Sequence, residues 1–160
     1  MPLTTLGILH TIVGTGSVFL IFYFLIVDKQ ILLSKRLGKL YLIGTFLTAL
    51  SALGIYKNGE PNGAHALAVL TILAILAGVI ASKVSFLGMI QKYFIALCFS
   101  STLLFHMLPT ATEILTRFPM DEPLATSSFD DPLLVITFRV ILGLFILFIG
   151  LQMNWLRKQN

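Results

Sequence analysis

LLVITFRVILGLFILFIGLQM, residues 133–153, decides the fold class of this chain: 21 residues carry a single charge, Arg139. An unbroken apolar run of about 18 residues or more is long enough to cross the hydrocarbon core of a bilayer as a helix. A soluble surface helix would keep a polar face along its length, and this stretch has none. Working outward, four more runs of the same kind fill the chain, at about residues 3–27, 40–56, 64–82 and 89–108. The expected fold is therefore all-α: a polytopic membrane helix bundle of five transmembrane helices, with residues 1–160 forming one domain.

The composition agrees. Of the 160 residues 57% are hydrophobic and 11% charged, and the mean hydropathy is +0.95. Soluble domains carry about 25% charged residues, so this chain has less than half the usual supply. The N-terminal MPLTTLGILHTIVG has no basic opening, and its apolar run continues to Val27. That exceeds a signal-peptide core, so a retained first span is expected. The one cysteine, Cys98, lies inside an apolar run and reads as a small hydrophobe, with no disulfide framework to join.

The formal charge of +4 does not point to nucleic acid, because the basic residues are scattered between spans. Their pattern sets topology instead. Lys29, Lys35, Arg36, Lys39, Lys83, Lys92, Arg157 and Lys158 fall on one side, and only Lys57 and Arg117 on the other. By the positive-inside rule the N-terminus lies outside and the C-terminus in the cytoplasm. The expected location is the bacterial cytoplasmic (inner) membrane. Trp155 then follows the fifth span as an interfacial aromatic.

Small residues recur along the spans at helical spacing, and in lipid such stripes let helix backbones approach closely. The first span has Gly7, His10, Gly14 and Ser17, and the second Gly44, Thr48 and Ser51. The third has Ala64, Ala68, Thr71, Gly78 and Ser82, interrupted by Ile75. The fifth has Gly143 and Gly150 below Arg139.

The middle of the chain resembles a family of small bacterial multi-pass membrane proteins that carry a domain of unknown function. The resemblance covers about residues 6–85. It rests on a basic opening to the second helix (Lys35, Arg36, Leu37, Gly38, Tyr41), an exit at Ser51, Ala52 and Leu53, and a start at His65, Ala66, Leu67 and Ala68. His10 matches an early helix-borne histidine typical of that family. Relatives often place a histidine where this chain has Ser34, so a cytoplasmic-side cofactor relying on it is not implied here.

All three histidines, Arg139 and Glu113 are expected in the outer half of the bundle. An arginine in a span costs a few kcal/mol at the helix centre and less near its edge. Arg139 therefore reads either as an inward cation, paired with Glu113 or a bound anion, or as a side chain snorkelling to the interface. His10 shares its face with small residues and reads as a ligand or as a histidine bonded to a carbonyl. His65 lies at the edge of its stripe, after the NGEPNG turn, as an interfacial residue or a ligand.

His106 belongs to FHMLPTATEILTRFP, residues 105–119, which allows two constructions. The helix either continues through Pro109, aligning Thr102, His106, Glu113 and Arg117 on one face, or stops at Leu108. The second is favoured here: Thr110 caps a new helix and Glu113 reaches back to it, as in a capping box. Glu113, Arg117 and Thr110 are then supporting residues around the site.

Three functions fit these residues. A b-type haem could take axial ligands from His10, His65 or His106, with Arg139 on a propionate and a quinone as redox partner. Zinc or copper could be held by His10, His65 and His106. A non-enzymatic bundle could bind a lipid, a quinone or a partner membrane subunit, or form a homo-oligomer. The acidic loop MDEPLATSSFDD reads as solvated carboxylates. No phosphate loop, nucleophile elbow or paired catalytic carboxylates are present, and no enzyme class is singled out.

Overall fold

The computed structural model describes residues 4–56, 59–126 and 130–159. These form five α-helices and no strand: α1 (Thr5–Val27), α2 (Arg36–Ala52), α3 (Gly63–Ala81), α4 (Gln91–Arg117) and α5 (Pro132–Arg157). A 3₁₀ turn, Gly88–Ile90, leads into α4. Among them α1, α3, α4 with its leading turn, and α5 are long and apolar enough to cross a membrane. Large apolar side chains stand outward, Phe19 at 73% exposure and Ile26 at 74%. Water would penalise such a surface and lipid does not. The chain is a multi-pass membrane protein.

The chain divides into two compact units, Met1–Leu103 and Leu104–Asn160. The first holds α1, α2, α3 and the first half of α4. Its α1 and α2 meet along the small residues anticipated from the sequence. A Cβ at Gly14 would lie 3.1 Å from the Thr48 methyl, and one at Gly44 would lie 2.9 Å from Ser17 Oγ. Dispersion between closely approaching backbones, not exclusion of water, drives such contacts in lipid. On α3 the buried face is His65, Ala68, Thr71, Ile75, Gly78 and Ala81. Gly78 lies under the Phe99 ring of α4, where a Cβ would come within 2.4 Å of it. Ala64 and Ser82 are exposed, so the α3 stripe is shorter than its sequence pattern.

Two bonds hold the turns of this unit. The Thr4 hydroxyl accepts from the Gly7 amide at 3.1 Å and caps α1. Lys35 Nζ donates to Asp28 Oδ1 at 2.5 Å across the α1–α2 connection. That connection then lies flat on α2: a Cβ at Gly38 would fall 2.1 Å from the Leu32 carbonyl oxygen.

α2 is displaced from its expected position. The hydropathy pattern placed it at about residues 40–56, after the last basic side chain, but the helix starts at Arg36 and ends at Ala52. Arg36 and Lys39 are exposed on its first turn, where long cationic side chains can reach the headgroups while their backbone is helical. Past Ala52 the chain continues only in tight turns, Gly54 N donating to Ser51 O and Ile55 N to Ala52 O, both at 3.1 Å.

In the second unit α4 does not stop at Leu108; it runs through Pro109 to Arg117. The capping box at Thr110 is therefore not formed. Proline removes one amide donor from the helix, but the residues after it are threonines that fold back. Thr110 Oγ1 donates to His106 O at 2.7 Å, Thr112 Oγ1 to Leu108 O at 3.0 Å and Thr116 Oγ1 to Thr112 O at 2.8 Å. Such local bonds are among the devices by which membrane helices tolerate proline. Glu113, freed from a cap, forms an ion pair with Arg117 one turn on.

The chain then folds back on the end of α4, the Ala125 amide donating to Leu115 O at 3.0 Å. The Phe118–Pro119 peptide bond is cis. Asp131 starts α5, accepting from the Leu133 amide at 2.9 Å, with Pro132 in the first helical turn.

Candidate functional site

His10 and His65 both belong to the first unit; His10 settles against the C-terminal end of α2, and His65 against Asn62 and the Tyr56 ring. His10 Nδ1 lies 3.0 Å from Thr48 O and 3.0 Å from Ser51 Oγ. Ser51 itself donates to Thr48 O at 2.9 Å, so its proton is engaged. A carbonyl can only accept. Nδ1 of His10 therefore carries the proton and shares it between the two oxygens, which leaves Nε2 with a bare lone pair. A ring N–H held by a backbone carbonyl is the orientation that metal-ligating histidines require.

His65 is the third residue of α3, and its Nδ1 lies 3.2 Å from both the Asn62 amide, which can only donate, and Asn62 Oδ1, which can only accept. Asn62 in return accepts from the Ala64 amide at 2.9 Å, so the pair caps the helix reciprocally. The other ring nitrogen, Nε2, is buried and has no hydrogen-bond partner among the described residues. The residue is 8% exposed, and the Tyr56 ring covers it at 4.7 Å between centroids. His65 is thus a buried capping residue with an unmet ring nitrogen, rather than the wet interfacial side chain its place in the stripe allowed. Unmet buried polar groups of this kind cost about 1–3 kcal/mol and call for an explanation.

His106, Thr110, Glu113, Arg117 and Arg139 belong to the second unit. His106 is half-buried and its carbonyl accepts from Thr110. Glu113 is joined to Arg117. Arg139 is exposed, seven residues after Pro132 and so about 10 Å along α5, and it makes no ion pair among the described residues. A Cβ at Gly143 or Gly150 would meet nothing within 4 Å. No three His, Cys, Asp or Glu side chains among the described residues gather as metal ligands.

The acidic loop keeps its carboxylate at Asp131 fully engaged. Besides Leu133, Asp131 accepts at Oδ2 from the Thr126 amide at 2.7 Å and the Thr126 hydroxyl at 3.0 Å. The Thr126 amide bond, ahead of the hydroxyl and the α5 amides, holds the Asp131 carboxyl below its ordinary range. An open hollow of about 420 Å³ lies beside it, lined by Thr116, Pro123 and Leu124 among others.

The sequence reading did not anticipate Asn62, Thr48, Ser51 or Thr102 in these roles. Asn62 had a signal, its three-residue spacing to His65, which is the spacing of a capping box. Thr102 had none: its partner, Tyr41, lies 61 residues away. No family model, no curated protein and no solved structure matches the chain.

Proposed function

We propose that this protein binds a membrane-borne ligand of the quinone class at the outer end of α1–α3, in the cytoplasmic membrane of a bacterium, with its N-terminus outside. The observation that carries this is the buried, unpartnered His65 Nε2. With the proton on Nε2, the ring offers a donor in apolar surroundings that suits a neutral ligand with a carbonyl acceptor; a charged ligand would need a counter-charge there. The flat Tyr56 ring offers a surface on which an aromatic headgroup stacks. His10, against the C-terminal end of α2, offers a lone pair for a hydroxyl.

A second reading has one observation of its own. His10 is oriented as an axial haem or metal ligand is. His65 is held differently, its Nδ1 against the Asn62 amide and side chain and not a backbone carbonyl. A haem on His10 would need its second ligand elsewhere.

One experiment separates the two. The protein is purified in mild detergent from haem-replete cells, and its absorption spectrum is taken as isolated and after dithionite, with metal analysis of the same sample. A short-chain benzoquinone is then titrated in, following its absorbance and the tyrosine emission. Saturable quinone binding that His65→Phe abolishes, with no Soret band, is the expected result. A Soret band that sharpens on reduction and is lost in His10→Ala would replace the quinone reading with haem. Stoichiometric zinc or copper would replace it with a metal site.

A further inference from the structure

We propose that a hollow at the opposite, basic end of the first unit holds the headgroup of an anionic phospholipid. The hollow measures about 250 Å³ and lies among the α1–α2 connection, the end of α3 and the start of α4. Its polar lining is Gln30, Ser34, Ser82 and Lys92; its apolar lining includes Ile95 and Phe99. This reading stands apart from the quinone reading and shares no residue with it.

The walls are built rather than incidental. Gln91 Nε2 donates to Ala81 O and to Val84 O, both at 2.8 Å, which ties the end of α3 to the start of α4. On the other side Lys35 N donates to Leu32 O at 3.1 Å. The Gly38 contact presses that same carbonyl onto α2, so the connection has no room to shift. A preformed hollow loses little freedom when it is filled.

Charge identifies the occupant. The three segments that meet here carry Lys29, Lys35, Lys83 and Lys92 against a single acid, Asp28. Asp28 is already engaged by Lys35. The surplus is strongly positive, and the Ser34 hydroxyl adds a donor for phosphate oxygens, while that of Ser82 is held by Val79 O at 2.7 Å. Lysine binds phosphate as a point charge. The apolar part settles the source. Lys92, Ile95 and Phe99 follow one another along a single face of α4 at spacings of three and four. The face thus passes from a cation to side chains that suit an acyl chain. A soluble anion would gain nothing from Ile95 and Phe99. Basic pockets between transmembrane helices on the cytoplasmic side are the known physical setting for anionic headgroups.

The test is native mass spectrometry of the full chain in mild detergent. Phosphatidylglycerol, phosphatidylcholine and inorganic phosphate are titrated separately and in competition. The wild-type chain retains phosphatidylglycerol in preference to phosphatidylcholine, and millimolar phosphate does not displace it. Lys92→Gln lowers that preference about fivefold, the effect of one basic residue at a membrane surface. Lys39→Gln makes the same charge change outside the lining and leaves the preference within about twofold. Ser82→Trp fills the hollow without altering charge and removes the retained lipid, which keeps the test intact if Lys92→Gln fails to fold. Equal retention of the two lipids overturns the proposal. So does displacement by phosphate, which would make the site one for a free anion. Equal losses from Lys39→Gln and Lys92→Gln would reduce the effect to diffuse surface charge and overturn it too.

Discussion

Tyr41 of α2 and Thr102 of α4 share a hydrogen bond of 2.5 Å, and both side chains are completely buried. Thr102 Oγ1 also lies 2.6 Å from Phe99 O, an oxygen that can only accept. The threonine proton therefore goes to Phe99, and Tyr41 donates to Thr102. Around the ring, Phe24 of α1 packs edge-on at 6.3 Å. One side chain thus ties together three helices of the first unit. Tyr41→Phe removes the bond but keeps the ring, and costs about 0.5–1.5 kcal/mol. Tyr41→Ala also opens a cavity and costs about 3–5 kcal/mol. Unfolding in detergent by denaturant, wild type against both variants, measures the two numbers; equal costs would mean that the hydroxyl, not the ring, is the tie.

Two glycines carry opposite expectations for the same substitution. Gly38→Ala drives a methyl into the Leu32 carbonyl and destabilises by about 1–3 kcal/mol, with backbone displacement. Gly143→Ala meets nothing and removes a poor helix former from the interior of α5, so it is neutral or stabilising by up to about 1 kcal/mol. Paired thermal melts of the purified variants decide this by sign alone.

The continuity of α4 through Pro109 predicts the behaviour of its neighbours. If Thr110 began a new helix, Thr110→Ala would cost about 1 kcal/mol as a lost cap. Here Thr110 is inside a helix, and the same change stays within about 0.5 kcal/mol. Pro109→Ala restores a missing amide donor and is neutral or stabilising. Denaturant titration of both variants checks the pair, and a costly Thr110→Ala would put the helix break back at Leu108.

Asp131 makes part of the stability pH-dependent. Its carboxyl is held below the ordinary value, so the ionised form is the one the fold prefers. The stabilisation is fully present above the unfolded value of about 3.9 and is lost as pH falls through the lower, folded value. Asp131→Asn keeps a good helix cap and should melt near wild type at pH 7, but without the acid-side loss. Asp131→Ala melts earlier at both pH values. Melts from pH 2.5 to pH 7 read this out, and an acid loss that persists in Asp131→Asn would move its origin to another carboxylate.

Much of the fold was legible because lipid imposes long apolar runs, and four of the five that were read are helices long enough to span. The edges were less legible. Charge marked the expected start of α2 at residue 40, but helix geometry lets Arg36 and Lys39 sit inside the first turn and still reach water. Pro109 looked like a stop because a proline removes a donor, while the three threonine hydroxyls that follow it act through carbonyls the sequence does not display. The candidate site was readable only residue by residue. His10 was marked by its glycine neighbours. The tautomers of His10 and His65, which decide what each can bind, depend on Thr48, Ser51 and Asn62, and those partners appear only once the helices are packed.

The shortness of α2 has a consequence for the surrounding lipid. Its 17 residues rise about 25 Å, against a hydrocarbon thickness of about 30 Å. In the five-span arrangement α2 is joined closely to α1, Gly44 against Ser17 and Thr48 against Gly14, so it cannot lengthen its reach by sliding independently. Were α2 to cross as well, the bilayer would have to thin beside it, at a modest free-energy cost for each ångström of mismatch. In that arrangement the protein would be most stable in membranes of shorter acyl chains, and would gather where the bilayer is already thin.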